Sequence, residues 1–253
     1  MSGGSQLEHW DGVPVWFYPE IDSTNSEALR RHAELPDRAV IWAAQQSAGR
    51  GRRGRHWQAR AGGSLCLSVF FRHSMALAAV SGVGPVLGIA AAGVLREQGV
   101  KSIGVKWPND LQVEGEKLGG ILVEVADSRA GQLSLVAGIG VNLALGSEIS
   151  IDQPWTDLQR LGLDASAEPL ARRLASAFFD ALECMATSGL AAALSGWEQF
   201  DALAGKTVTV LGGARAGGRV LGIAEDGRLR LQDEQGEWRC HAGEVSVRPT
   251  SCC

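Results

Sequence analysis

Two apolar runs, Ala39 to Ala44 and Ser64 to Phe71, are separated by Gln46-Ser47-Ala48-Gly49-Arg50-Gly51-Arg52-Arg53-Gly54-Arg55-His56-Trp57. Each run has the length and composition of a core strand. The segment between them carries four arginines and three glycines, and unpaired charge does not go into a core. It therefore has to be a loop held between two strands. A loop of about 18 residues is uncommon in a compact domain and is usually functional. Glycine lets a backbone bend and bring its N–H groups up to a ligand. Arginine offers a planar, permanently charged fork of donors suited to phosphate and carboxylate. A small anionic ligand, a nucleic acid and a plain solvated loop are all compatible with this segment alone.

The wider chain narrows the choice. A formal net charge of -4 over 253 residues argues against a general nucleic-acid binder. An apolar fraction of 45% and a charged fraction of 21% are those of an ordinary soluble globular protein. The length allows one large domain, or a large and a small one. The polar, glycine-rich stretch Met1 to Glu8 is not a signal peptide. Five cysteines show no framework or metal spacing beyond the adjacent pair Cys252-Cys253, which points to a reducing, cytoplasmic compartment. Cys66, inside an apolar run, reads as a small buried residue. Met75 to Leu95 has no charged residue and the length of a membrane helix. Its composition of Ala, Val and Gly, with Pro85, favours a core helix packed closely on a sheet.

Taken in order, Val13 to Phe17 predicts a strand, and Asp22-Ser23-Thr24-Asn25-Ser26-Glu27 a helix start with capping-box spacing between Thr24 and Glu27. Ser23, Thr24 and Asn25 either only cap that helix or also face a ligand. Ile103 to Lys106 predicts a strand running into Trp107-Pro108-Asn109-Asp110, and Val113 to Glu116 a hairpin turn. Lys117 to Glu124 begins the next strand, and Leu133 to Val141 pairs with it in an antiparallel meander. Pro169 to Met185 and Leu190 to Leu203 have helical periodicity, with Trp197 and Phe200 on one core face. From Gly205 onward five short strands predict a small barrel: Lys206 to Leu211, Arg219 to Ala224, Leu229 to Gln232, Glu237 to Cys240 and Val245 to Arg248. The tail Thr250 to Cys253 is expected to fray.

Arg50, Arg52, Arg55, Lys106, Lys117, Asp110, Gln46, Asn109 and Asn142 make a set of cations and amides with one carboxylate and no nucleophile. Ser–His–Asp, catalytic-cysteine and paired-carboxylate arrangements are missing from the sequence pattern. Gly49-Arg50-Gly51-Arg52-Arg53-Gly54 matches a dinucleotide fingerprint only as letters, because no helix follows it. No metal-ligand spacing appears, so no protein metal site is expected. Cations without a nucleophile suit a reaction between anions: they offset the repulsion between a carboxylate and the α-phosphate of ATP and stabilise charge developing on phosphoryl oxygens. A loop that orders over an acyl-adenylate would keep water from it.

Ser23-Thr24-Asn25, the glycine–arginine segment through Trp57, Lys106-Trp107-Pro108-Asn109-Asp110, Lys117-Leu118-Gly119-Gly120-Ile121-Leu122-Val123-Glu124 and Gly138-Ile139-Gly140-Val141-Asn142-Leu143 together resemble the consecutive signatures of the biotin–protein ligases. The resemblance implies an α+β fold: a class II synthetase-like mixed or antiparallel sheet with flanking helices over residues 1–204, and an SH3-like β-barrel over 205–253. It implies an enzyme that activates biotin with ATP and Mg2+ as biotinyl-5'-AMP. Biotin then passes to one lysine of the biotin carboxyl carrier protein of acetyl-CoA carboxylase. A lipoate or octanoate ligase on the same scaffold is the alternative.

By the same resemblance, Ser23, Thr24 and Gln46 hold the ureido ring, with backbone from Gly49 and Arg50, and Asn25 belongs to the same binding motif. Arg52 and Arg55 approach carboxylate and phosphate, and Trp57 lies beside the adenylate. Lys117, Arg52 and Asp110 are the catalytic candidates: Lys117 touches the biotin carboxylate and α-phosphate, and Asp110 positions magnesium-ATP or the acceptor amine. Gly119 and Gly120 admit biotin close to backbone, Asn142 meets the nucleotide, and Lys106 and Asn109 give polar support. The pattern begins by residue 13, so the expectation is a ligase without an operator-binding domain and without membrane attachment. It is expected to be a monomer or weak homodimer that docks its acceptor along a sheet edge.

Overall fold

The computed structural model describes residues 5–58, 61–146, 153–163, 166–213, 215–242 and 246–249. In chain order these form β1 (Gln6–Trp10), β2 (Val13–Tyr18), α1 (Thr24–Arg31), β3 (Arg38–Ala43), β4 (Ser64–Ser74), α2 (Val80–Glu97), β5 (Ile103–Lys106), β6 (Asp110–Val113), β7 (Glu116–Arg129), β8 (Gln132–Asn142), α3 (Ala167–Ser188), α4 (Leu190–Ala193), β9 (Thr207–Leu211), β10 (Gly217–Ile223), β11 (Leu229–Asp233), β12 (Gly236–Cys240) and β13 (Ser246–Pro249).

The first eight strands make one mixed sheet in the order β1-β2-β3-β4-β8-β7-β6-β5. Only β2 and β3 run parallel, with α1 in their crossover; the other neighbours are antiparallel. Side-chain alternation divides the sheet into two faces. Leu65, Leu67, Val69 and Phe71 of β4 join Val40 and Trp42 of β3 and Leu133, Leu135, Ile139 and Val141 of β8 in a large core with α2 and α3. Each such side chain contributes roughly 1.5–3 kcal/mol when fully buried. The other face holds a small cluster around Ile41, Phe70, Val136 and Ala28 of α1.

The apolar segment Leu77–Glu97 is long enough to cross a membrane by length and composition, but half of it is buried inside the protein. Val83, Val86, Leu87, Ala91 and Leu95 lie in the large core. Gly88 allows the close approach to β5, since a Cβ there would stand 2.7 Å from Val105 Cγ1. This is the core helix the glycines and Pro85 suggested.

Several expectations change. The C-terminal strands form an open antiparallel sheet, β12-β11-β10-β9-β13, so the SH3-like β-barrel is corrected to a sheet. Closure requires the two edge strands to pair. Here the four residues of β13 are all in register with β9, and no ladder joins β13 to β12 among the described residues. The helix expected over Leu190 to Leu203 stops at Ala193: Gly196 takes a left-handed φ of 85° and a 3-10 turn, Trp197–Gln199, follows. Trp197 and Phe200 are nonetheless buried. The polar stretch Met1 to Glu8 runs into β1, which pairs along its whole length with β2. The tail Thr250 to Cys253 lies outside the described residues, as do parts of the 146–164 connection.

Candidate active site

Strand register gathers the polar residues on the α1 face. Residues directly opposite one another share a face. One row crosses five strands: Lys106 pairs with Asp110, Asp110 with Gly120, Gly120 with Gly140, and Gly140 with Cys66. The next row is Leu122, Gly138 and Ser68, and beyond it Glu124 pairs with Val136. Two glycines of this floor are forced by what rests on them. A Cβ at Gly138 would meet Asn25 Oδ1 at 2.1 Å, and one at Gly140 would meet the Trp57 ring at 2.3 Å.

Ser23 caps α1 by accepting from the Ser26 backbone N–H at 3.4 Å. The cap is therefore one residue earlier than the Thr24–Glu27 spacing predicted, and Thr24 is freed for other contacts. Ser23, Thr24 and Asn25 are all buried. The Thr24 N–H donates to Gln46 Oε1 at 2.7 Å, and the two side-chain oxygens are 3.1 Å apart. Ser68 Oγ lies 2.7 Å from Thr24 Oγ1 and 2.6 Å from Asn25 Oδ1. Asn25 Nδ2 donates to the Leu122 carbonyl at 3.2 Å and to Glu124 at 2.9 Å.

The glycine–arginine segment is a short self-bonded hairpin rather than structureless chain. Gly51 N–H donates to Arg55 O and Trp57 N–H to Gly49 O, around a 3-10 turn at Arg52–Gly54. Arg50 donates to Glu124 Oε1 at 2.5 Å and to Ser26 Oγ at 3.3 Å. Arg52 reaches the other way, to Asn109 Oδ1 at 3.0 Å and to the Ala242 carbonyl, two residues beyond the end of β12. Burial pulls the Arg52 pKa down, and the Asp110 charge opposes that. Arg55 is exposed. Trp57 stands between the Gly140 floor and Lys117, whose Nζ is 5.8 Å from the ring centroid.

Lys117 and Asp110 form a largely buried ion pair, Nζ to Oδ1 2.7 Å. Gly120 lies beneath it: a Cβ there would be 3.3 Å from Lys117 Cε and 3.5 Å from Asp110 Oδ1. Gly119 faces away, backing onto the Gly140 carbonyl. Burial depresses the Lys106 amine; Asp110 counters this, while Lys117, Arg248 and Arg55 add to it. Asn109 ties β6 to β7 through Ile121, donating from Nδ2 at 2.8 Å and accepting at its backbone carbonyl. Asn142 Nδ2 donates to the carbonyls of Lys117 and Thr156, so its amide nitrogen braces the strand that carries Lys117. Cys66 is buried, its thiol pushed up to about 12, which makes it inert. Among the described residues no three His, Cys, Asp or Glu side chains cluster as a metal site.

Register and contacts thus bring together Thr24, Asn25, Gln46, Gly49, Arg50, Trp57, Lys106, Asp110, Lys117, Gly120 and Asn142. They also enlist Ser68, Glu124, Gly138 and Gly140, to which the sequence assigned no role. Ser68 sits in an apolar run and Glu124 at the end of one, and their partners are far away in sequence.

Residues 17–142 match the family model of the biotin/lipoate A/B protein ligases, and residues 204–248 match that of the biotin protein ligase C-terminal domain. The bifunctional ligase/repressor BirA of Escherichia coli strain K12 is 38% identical over 96% of this chain and 76% of its own. The chain belongs to the biotin–protein ligase family. The biotin–[acetyl-CoA-carboxylase] ligase of Paracoccus denitrificans is 32% identical, over 88% of this chain and 96% of its own. The structure of biotin protein ligase from Aquifex aeolicus in complex with biotin and ATP superposes with a TM-score of 0.80 at 25% identity, covering 93% and 99% of the two chains. The enzymatic activity is that of an ATP-dependent biotin–protein ligase.

Proposed function

We propose that the α1 face of the large sheet holds biotin and ATP and carries both half-reactions. The observation that supports this most is the Lys117–Asp110 pair set on glycine, beside an arginine hairpin and a buried amide–hydroxyl floor. Thr24, Ser23 and Gln46 would bind the ureido ring, and Gly49 and Gly120 would admit it close to backbone. Gln46 Oε1 already accepts from Thr24, which leaves its Nε2 as a donor. Lys117 would leave Asp110 to neutralise the biotin carboxylate and α-phosphate together. A carboxylate oxygen then attacks the α-phosphorus, the bond to the bridging oxygen breaks, and pyrophosphate leaves with its electrons. Arg52 and Arg55 would help hold these charges. Trp57 would shield the mixed anhydride, and Lys106, Asn109 and Asn142 would keep β5, β6 and β8 in place around it.

In the second half-reaction the neutral ε-amine of one lysine on the carrier protein of acetyl-CoA carboxylase attacks the acyl carbon, and AMP departs. Asp110 would receive or orient the amine proton. The donor set does not fit a protein-held Mg2+, since among the described residues no three carboxylate, imidazole or thiol side chains come together and Asp110 has no second acidic partner. Magnesium would arrive on the ATP phosphates, as it commonly does, and no step is assigned to it. Residues 1–204 would form the ligation domain and 205–253 a second domain. The enzyme would be cytoplasmic, and a monomer or weak homodimer.

The test is transfer. With magnesium-ATP, the protein should label a biotin carboxyl carrier domain with biotin and leave a lipoyl domain unlabelled by lipoate. The reverse pattern would replace this reading with a lipoate ligase.

A further inference from the structure

The polar floor and the arginine hairpin are joined twice, once through the chain and once through hydrogen bonds. From Gln46 the second route passes to the backbone N–H of Thr24, and from the Thr24 hydroxyl through Ser68, Asn25 and Glu124 to Arg50, four residues from its start. The proton arrangement is determined. Asn25 Nδ2 faces two acceptors, the Leu122 carbonyl and Glu124, so Asn25 Oδ1 faces Ser68 and can only accept. Ser68 has one hydrogen and gives it to Asn25. Thr24 then donates to Ser68, and Gln46 Oε1 is left with the Thr24 backbone N–H. Every member except Arg50 and Glu124 is neutral, and those two close the circuit at 2.5 Å.

We infer that Glu124 is a positioning residue that couples occupancy of the Thr24–Gln46 floor to the placement of the arginine hairpin. A ligand that fixes the Thr24 and Gln46 side chains fixes Ser68, Asn25 and the Glu124 carboxylate in turn. Glu124 then pins Arg50, and with it the chain leading into Arg52 and Arg55. Glu124 is not in the row that carries Lys106, Asp110 and Gly120, so it acts through Arg50 and not on the reacting atoms. The Arg50 and Glu124 side chains are 41% and 22% exposed, so water and salt weaken the pair and the effect is moderate.

This rests on the reading that biotin occupies that floor, and the experiment separates the two. Trypsin cleavage after Arg52, Arg53 and Arg55 is followed with and without biotin, alongside calorimetric binding of biotin. The unmodified protein should bind biotin and be protected about tenfold. Glu124→Gln should still bind, with a KM for biotin raised about five- to tenfold, a smaller fall in kcat, and most of the protection lost. Arg50→Gln combined with Glu124→Gln should be no worse than Arg50→Gln alone. Ser68→Ala, which opens the circuit at its other side, should also lose protection, and serves if Glu124→Gln does not fold. If biotin binds and Glu124→Gln or Ser68→Ala keeps full protection, or the two losses in the double variant simply add, the coupling is wrong. If biotin fails to bind the unmodified protein, it is the occupancy of the floor that is wrong.

Discussion

The two faces of the eight-stranded sheet use the same strands for opposite ends. On the α2–α3 face, β4 presents Leu65, Leu67, Val69 and Phe71. One residue out of phase, toward α1, it presents Cys66, Ser68 and Phe70. β8 behaves alike, with Leu135, Ile139 and Val141 toward the helices and Gly138, Gly140 and Asn142 on the other side. The helical face is filled by apolar volume and supplies stability. The α1 face replaces large side chains with glycine wherever Asn25 or Trp57 has to settle on backbone. A strand can serve both needs because its period of two keeps them apart.

The comparison is most easily broken by moving bulk. Phe71→Ala on the helical face should cost about 3–5 kcal/mol of stability, read as a lower denaturation midpoint, while the folded fraction keeps its KM for biotin. Lys117→Ala on the α1 face should do the reverse, slowing adenylate formation about 10²–10³-fold with the denaturation midpoint little changed. Gly140→Ala brings a methyl against the Trp57 ring. It should cost about 1–3 kcal/mol by overpacking and raise the biotin KM in the same variant, because this position belongs to both accounts.

The smallest effect is electrostatic. Burial lowers the Lys106 pKa in the folded state, so below that value the folded protein carries a charge it holds less well than the unfolded chain does. Stability therefore rises as pH climbs from the folded value toward the unfolded value near 10.4. Lys106→Met should be more stable than the parent at neutral pH, by about 1 kcal/mol or less, and the advantage should shrink in alkaline denaturation curves. An advantage that grows with pH would mean that Lys106 is held by its neighbours rather than strained by burial.

Much of this is legible in the sequence. Lys106, Asp110 and Lys117 stand at strand ends, and a short hairpin turn joins β6 to β7, so their convergence follows from the meander. Face assignment was not legible, because β4 is apolar on both sides and alternation gives no phase. Glu124 and Arg50 are 74 residues apart, and nothing local in either marks the pair. Turn residues mark the short C-terminal strands to within about two residues, yet strand count does not determine closure, and the sheet stays open. Leu190 to Leu203 has helical spacing, but Gly196 adopts a left-handed conformation that ends it.

The claim that chemistry is confined to one face is tested most directly by hydrogen exchange of the protein with and without biotin and magnesium-ATP. New protection should fall on 23–26, 46–58, 106–122 and 138–142, while α2 and α3 exchange as before. Protection concentrated in the groove between α2 and α3, with the glycine–arginine hairpin unchanged, would contradict it.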